Sequence, residues 1–181
     1  NAIPEFYNSG AVVASADADN DGDQDLFVGG RYIPGNYPLP ADSYLLINSN
    51  GTFSNETENL ASEFKKLGLV TDAIWTDVDL DADQDLVVVG EWMSITIFEN
   101  RSGNLHKIIN DENGLEDTSG WWWSINSEDI DRDGDPDFVV GNMGLNYKFH
   151  PNVDGPLELF AGDFDGSGNT DIALGHYQGN N

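Results

Sequence analysis

Asp17, Asp19, Asp21, Asp23 and Asp25 place five carboxylates in nine residues around Gly22, and comparable clusters return at Asp77, Asp129 and Asp163. Carboxylates at that density repel one another, so a folded chain keeps them together only around a strong positive charge. Counted from the first aspartate, positions 1, 3, 5, 7 and 9 of the second loop are Asp77, Asp79, Asp81, Asp83 and Asp85. The third loop has Asp129, Asp131, Asp133, Asp135 and Asp137, and the fourth Asp163, Asp165, Ser167, Asn169 and Asp171. Alternate side chains converge where the backbone curls, and glycine at position 6 permits the positive φ of so sharp a turn. Hard oxygen donors in this number suit Ca2+, which takes about 6–8 of them, better than Mg2+, which keeps a tight octahedron with water. The expectation is up to four Ca2+, one per loop. By analogy with other loops of this type, position 7 offers its backbone carbonyl and position 9 the closing carboxylate.

The copies are unequal. Ala82 stands at position 6 of the second loop, where left-handed backbone costs a residue with a Cβ about 1–2 kcal/mol. The fourth loop has three acids, Asp163, Asp165 and Asp171. Both are expected to bind more weakly than the first and third.

The elements that must position these loops are legible on either side. Ala11–Ala14, Ala73–Trp75, Trp123–Ile125 and Leu159–Ala161 precede them, and Leu26–Gly29, Leu86–Gly90, Phe138–Gly141 and Ile172–Gly175 follow. The plan is strand, loop, strand. Ser43–Asn48 running into Asn50-Gly51 and Thr52-Phe53 predicts a hairpin, and Ser94–Glu99, Ser102-Gly103 and Leu105–Ile109 repeat it. A further strand is expected near Tyr147–His150, a helical turn or two within Glu58–Leu67, and a loop from Arg31 to Ala41. The first aspartates are separated by 60, 52 and 34 residues, a spacing that suits propeller blades with variable outer loops. The fold expected is all-β, a partial β-propeller of about three to four antiparallel four-stranded blades. Residues 1–181 form a single repeat domain with units of approximately 8–70, 71–118, 119–156 and 157–181, the last incomplete.

The pattern D-x-D-x-D-G-D-x-D, followed at once by an apolar strand and glycine, resembles the FG-GAP-like or VCBS-type repeat. That repeat occurs in integrin-α-like β-propellers and in many acidic bacterial surface or secreted proteins. The resemblance implies a calcium loop between the first two strands of each blade. It also implies a module for protein or carbohydrate binding or adhesion at an extracellular, cell-surface or periplasmic site.

Charge and composition narrow the function further. Seven basic residues against 33 acidic ones give a formal charge of −26, which makes nucleic acid and anionic membranes poor partners. There is no cysteine, so disulfides and thiolate sites are unavailable. The longest aliphatic run, Leu86–Val89, is far short of the roughly 20 residues of a membrane helix, so no membrane insertion is expected. The chain does not begin with methionine and shows no signal peptide, which suggests an excised fragment. Three and a half blades fall below the usual 4–8, and open blade edges would favour a homo-oligomer.

Other chemistries fit less well. An EF-hand or dockerin loop needs an acid at position 12 and a following helix, but position 12 is Val28, Val88, Val140 and Leu174. Ionised carboxylates repeated four times are not a glycosidase pair, and no enzyme activity is expected. The alternative is the propeller portion of a Ca2+-dependent polysaccharide lyase, which needs a basic residue over a sugar. Arg31, Lys65, Lys66, Arg101, Lys107, Arg132 and Lys148 form no cluster in sequence. In an alternating strand Trp121 and Trp123 share one face and Trp122 the other. Core packing is favoured for them over an exposed platform for sugar rings, and core positions for Trp75 and Trp92. His106, His150 and His176 are isolated, with structural or surface roles expected.

Overall fold

The computed structural model describes residues 3–108, 114–152 and 154–177. Ile109, at the end of one expected strand, lies outside them. Strands β1 (Gly10–Ala16), β2 (Asp25–Gly30), β3 (Tyr44–Ser49) and β4 (Thr52–Asn55) form one antiparallel sheet in that order. A short helix α1 (Thr57–Leu60) and a 3-10 turn (Ser62–Phe64) lead to β5 (Leu69–Thr76), β6 (Asp85–Met93), β7 (Thr96–Arg101) and β8 (Asn104–Lys107). These pair antiparallel in the same succession. Then come β9 (Gly120–Glu128) with β10 (Asp137–Asn142), and β11 (Leu157–Gly162) with β12 (Asp171–His176). The fold is all-β and partial β-propeller-like, with no closed barrel.

Local chemistry explains the strand ends. Asn50 and Gly51 have φ of 53° and 85°, and Ser102 and Gly103 of 55° and 85°, so each hairpin closes on two left-handed residues that match the twist of its strands. Arg31–Ala41 is the expected loop, pinned by a bridge between Tyr32 and Pro40.

The core lies between neighbouring sheets. Phe64 fills the space between Phe27 of β2 and Phe98 of β7, edge-on to both with centroids 5.1 and 4.9 Å away. The alternation of β6 splits its side chains between two layers: Leu86 and Val88 join the cluster containing Phe27 and Phe64, while Val87 and Val89 pack with Ile97 and Ile125. Both faces of β6 are therefore buried, which is why it reads as an unbroken aliphatic run. At about 25 cal/mol per Å2 of apolar surface, side chains as buried as Phe27, Phe64 and Phe98 each contribute about 2–3 kcal/mol.

One feature recurs in the first three units. The ladder slips by one residue at Ala11, Thr71 and Trp123, each six residues before the first aspartate of its loop. A β-bulge of this kind turns the extra residue away from the regular alternation. The Thr71 hydroxyl uses that freedom to donate to the carbonyls of Val89 and Trp122, stapling the second unit to the third.

Two expectations need correction. No strand forms at Tyr147–His150: a 3-10 turn at Gly144–Asn146 redirects the chain, and Tyr147 and Phe149 are held by ring contacts with Trp121 and His176. Trp123 is not core but 39% exposed, because the bulge overrides alternation. Trp75 is core as expected, and its indole N–H donates to the Ala14 carbonyl of β1. Trp92 is half-buried.

Candidate metal centre

All four aspartate loops fold alike, each joining two adjacent antiparallel strands. Position 1 is held by backbone amides: Gly22, Ala82, Gly134 and Gly168 donate to Asp17, Asp77, Asp129 and Asp163 at 2.9–3.1 Å. The closing aspartate ties down the loop entrance, with Asp25, Asp85, Asp137 and Asp171 accepting from the amides of Ala18, Val78, Ile130 and Phe164 at 2.8–3.0 Å. These bonds aim both carboxylates inward. Oxygens at positions 1, 3 and 9 come together in every loop, within 4.8 Å of one another: Asp17, Asp19 and Asp25; Asp77, Asp79 and Asp85; Asp129, Asp131 and Asp137; Asp163, Asp165 and Asp171.

Positions 5 and 7 stand outside that trio. The carboxylates of Asp21, Asp81 and Asp133 accept from the amides of Asp23, Asp83 and Asp135, and Ser167 from that of Asn169. In the first two loops the position 7 side chains reach partners outside their own loop. Asp23 accepts from the Asn50 amide at 2.8 Å and Asp83 from the side chain of Asn20 at 2.7 Å.

The donor set, all hard oxygens, could hold a metal ion of the size of Ca2+. Two oxygens bound to one ion at about 2.4 Å can be no more than about 4.8 Å apart, the limit each trio meets. No lysine or arginine among the described residues is ion-paired with these carboxylates. Asp25 and Asp85 are buried, and desolvation pushes their carboxyls above the usual 3.8, against the backbone amides that favour the charged form. A cation beside them would offset that cost.

Sequence reasoning anticipated the turn at position 6, where φ is 96° at Gly22, 77° at Ala82, 103° at Gly134 and 84° at Gly168. It missed a second left-handed residue at position 4: Asn20, Leu80, Arg132 and Gly166, with φ of 60–74°. Asparagine and glycine tolerate this backbone; leucine and arginine do not. The second loop therefore carries two strained residues, Leu80 and Ala82. Ala82→Gly is expected to stabilise the protein by about 0.5–1 kcal/mol, relief of strain less the entropy of the added glycine, which is about 2 °C in a melt. A lower melting temperature would contradict the strain argument.

Two supporting residues also escaped notice. Asn48 of β3 and Asn100 of β7 each donate their backbone N–H to the closing aspartate, Asp25 or Asp85, at 2.8 Å. Their side chains cap the following hairpin at Gly51 and Gly103 and reach back to the carbonyls of Gln24 and Gln84. The signal was an Asn-x-x-Gly spacing shared by both hairpins. Asn100 also donates to the Ala18 carbonyl at 2.8 Å, joining the second unit to the first loop.

Residues 77–140, which span the second and third loops with everything between, match the family model of the FG-GAP-like repeat. The chain carries an FG-GAP-like repeat. The first and fourth loops lie outside the matched span yet share the trio of carboxylates found within it. No curated protein matches the chain. Within the FG-GAP-like repeat the aspartates sit at one end of the strands, and a different set of side chains occupies the other.

Proposed function

We propose that this is a calcium-stabilised, propeller-type module that binds a protein or glycan ligand in adhesion, outside the cell, at its surface or in the periplasm. The observation that carries it is the fourfold convergence of the carboxylates at positions 1, 3 and 9. Bound calcium supplies positive charge that converts mutual repulsion into a cross-link between the two strands flanking each loop. Asp17, Asp77, Asp129 and Asp163 open the four sites, Asp19, Asp79, Asp131 and Asp165 continue them, and Asp25, Asp85, Asp137 and Asp171 close them. Position 7 adds its carbonyl. Millimolar extracellular calcium keeps even weak sites filled, which supports the assignment of compartment. No helix among the described residues is long and apolar enough to cross a membrane. The aspartates serve architecture rather than catalysis, and open blade edges leave room for self-association.

Calcium titration calorimetry tests the reading. Up to four sites are expected, the first and third filling before the second and fourth, with magnesium binding far more weakly. A titration without heat or with no preference for calcium would refute it.

A further inference from the structure

We propose that the end of the molecule opposite the aspartate loops binds a neutral pyranose sugar, with Trp123 as the stacking surface and Arg31 as the hydrogen-bond donor beside it. This names a ligand class for the module and to that extent rests on the reading above. Three units meet there. Arg31 follows β2 and Glu91 lies near the end of β6, each six residues beyond its closing aspartate. Trp121 and Trp123 begin β9, whose Trp121 pairs with Glu91 across the ladder.

Trp123 occupies the bulge position held by Ala11 and Thr71 in the other units, and the bulge keeps its ring out of the core. The ring is nevertheless fixed. The Arg31 guanidinium lies over it at 5.1 Å, and Arg31 is ion-paired with Glu91, which is only 3% exposed. Tyr37 donates to the other Glu91 oxygen at 2.9 Å and accepts from the Trp92 indole at 3.0 Å. Trp92 in turn stacks on Trp121 with centroids 5.1 Å apart, and does so at φ of 59°, a backbone state that a bulky side chain occupies only under strain. A platform held this firmly loses little freedom on binding.

The chemistry selects the ligand. A pyranose presents an apolar C–H face to an indole and hydroxyl oxygens at its rim. Arg31 engages Glu91 through one terminal nitrogen, and its second terminal nitrogen, which is not buried and has no acceptor among the described residues, is the donor offered to a sugar hydroxyl. The pairing with Glu91 offsets the charge of Arg31, and a chain of net charge −26 repels polyanions. An uncharged sugar meets both conditions.

The test is affinity electrophoresis of the whole chain in calcium buffer, through gels containing a soluble β-glucan, a xylan, a galactomannan or, as the anionic comparison, alginate. Retardation by at least one neutral polysaccharide is expected, weakened about tenfold or more in Trp123→Ala. No retardation by the neutral polymers, retardation by alginate alone, or unchanged retardation of Trp123→Ala would overturn the proposal. If that variant does not fold, the indole N–H resonances of the unaltered protein serve instead. Saturating sugar should shift the Trp123 signal and leave that of core Trp75 in place, and a stationary Trp123 signal would overturn the site. A silent gel with a chelator-sensitive melt overturns the sugar site alone. Retarded bands with a chelator-insensitive melt support it while overturning the metal reading.

Discussion

On the proposed calcium reading, EGTA is expected to lower the melting temperature by about 10–20 °C. A site occupied at about 100 times its dissociation constant adds about 2.7 kcal/mol, and two such sites add about 5 kcal/mol. For a domain of this length each kcal/mol is worth about 2–4 °C. The loss is not confined to the loops, because Asp25 and Asp85 are buried and anchor β3 and β7 through the amides of Asn48 and Asn100.

The pH dependence reverses sign between the two forms. Burial raises both carboxyls above 3.8, so the metal-free folded state binds protons more tightly than the unfolded chain. In metal-free protein the contribution of these two groups to stability therefore grows as pH falls through the raised values towards 3.8, whereas calcium-loaded protein is expected to lose stability as protons displace the ion. Calorimetric melts from neutral to mildly acid pH, with and without EGTA, would show opposite slopes. Superimposed curves would remove calcium from the account of stability.

Asn100→Ala has the second large effect, a loss of about 3 kcal/mol. The side chain is fully buried and makes three hydrogen bonds, to the carbonyls of Ala18 and Gln84 and from the amide of Gly103. Its removal orphans buried backbone groups at about 1–3 kcal/mol each, part of which water recovers. Asn48→Ala is the internal control. It loses the bonds to Gln24 and Gly51, but Asn48 is only half-buried and has no bond to another unit, so about 1 kcal/mol is expected. Urea unfolding of the two variants separates the contributions. Equal losses would mean that the contact with Ala18 carries no weight between the units.

The two asparagines also show why spacing was an incomplete guide. Carboxylates nine residues deep announce a cation because charge density is a local property of the chain. An asparagine that supports them from another strand is silent until hairpins are aligned. The missed left-handed residue at position 4 is similar: Asn20 and Gly166 advertise it, but Leu80 and Arg132 conceal it, because the loop's own hydrogen bonds override residue preference. Tyr147–His150 has strand-forming composition, yet the 3-10 turn before it and the rings around it leave no ladder to join.

What the sequence determined by itself was the repeated strand–loop–strand unit, the four clusters of oxygen donors and the two hairpin turns, because each is set by interactions within about a dozen neighbouring residues. What only the tertiary structure decided was how the units meet. It set Phe64 between two sheets, carried Asn100 to the first loop, and brought Arg31, Glu91 and Trp123 to one end. Those contacts join residues 34 to 92 positions apart in the chain, and no local period encodes them. The exposure of Trp123 belongs to the same class. A one-residue slip in the β9–β10 ladder, visible only once the strands are paired, turned a predicted core side chain towards solvent.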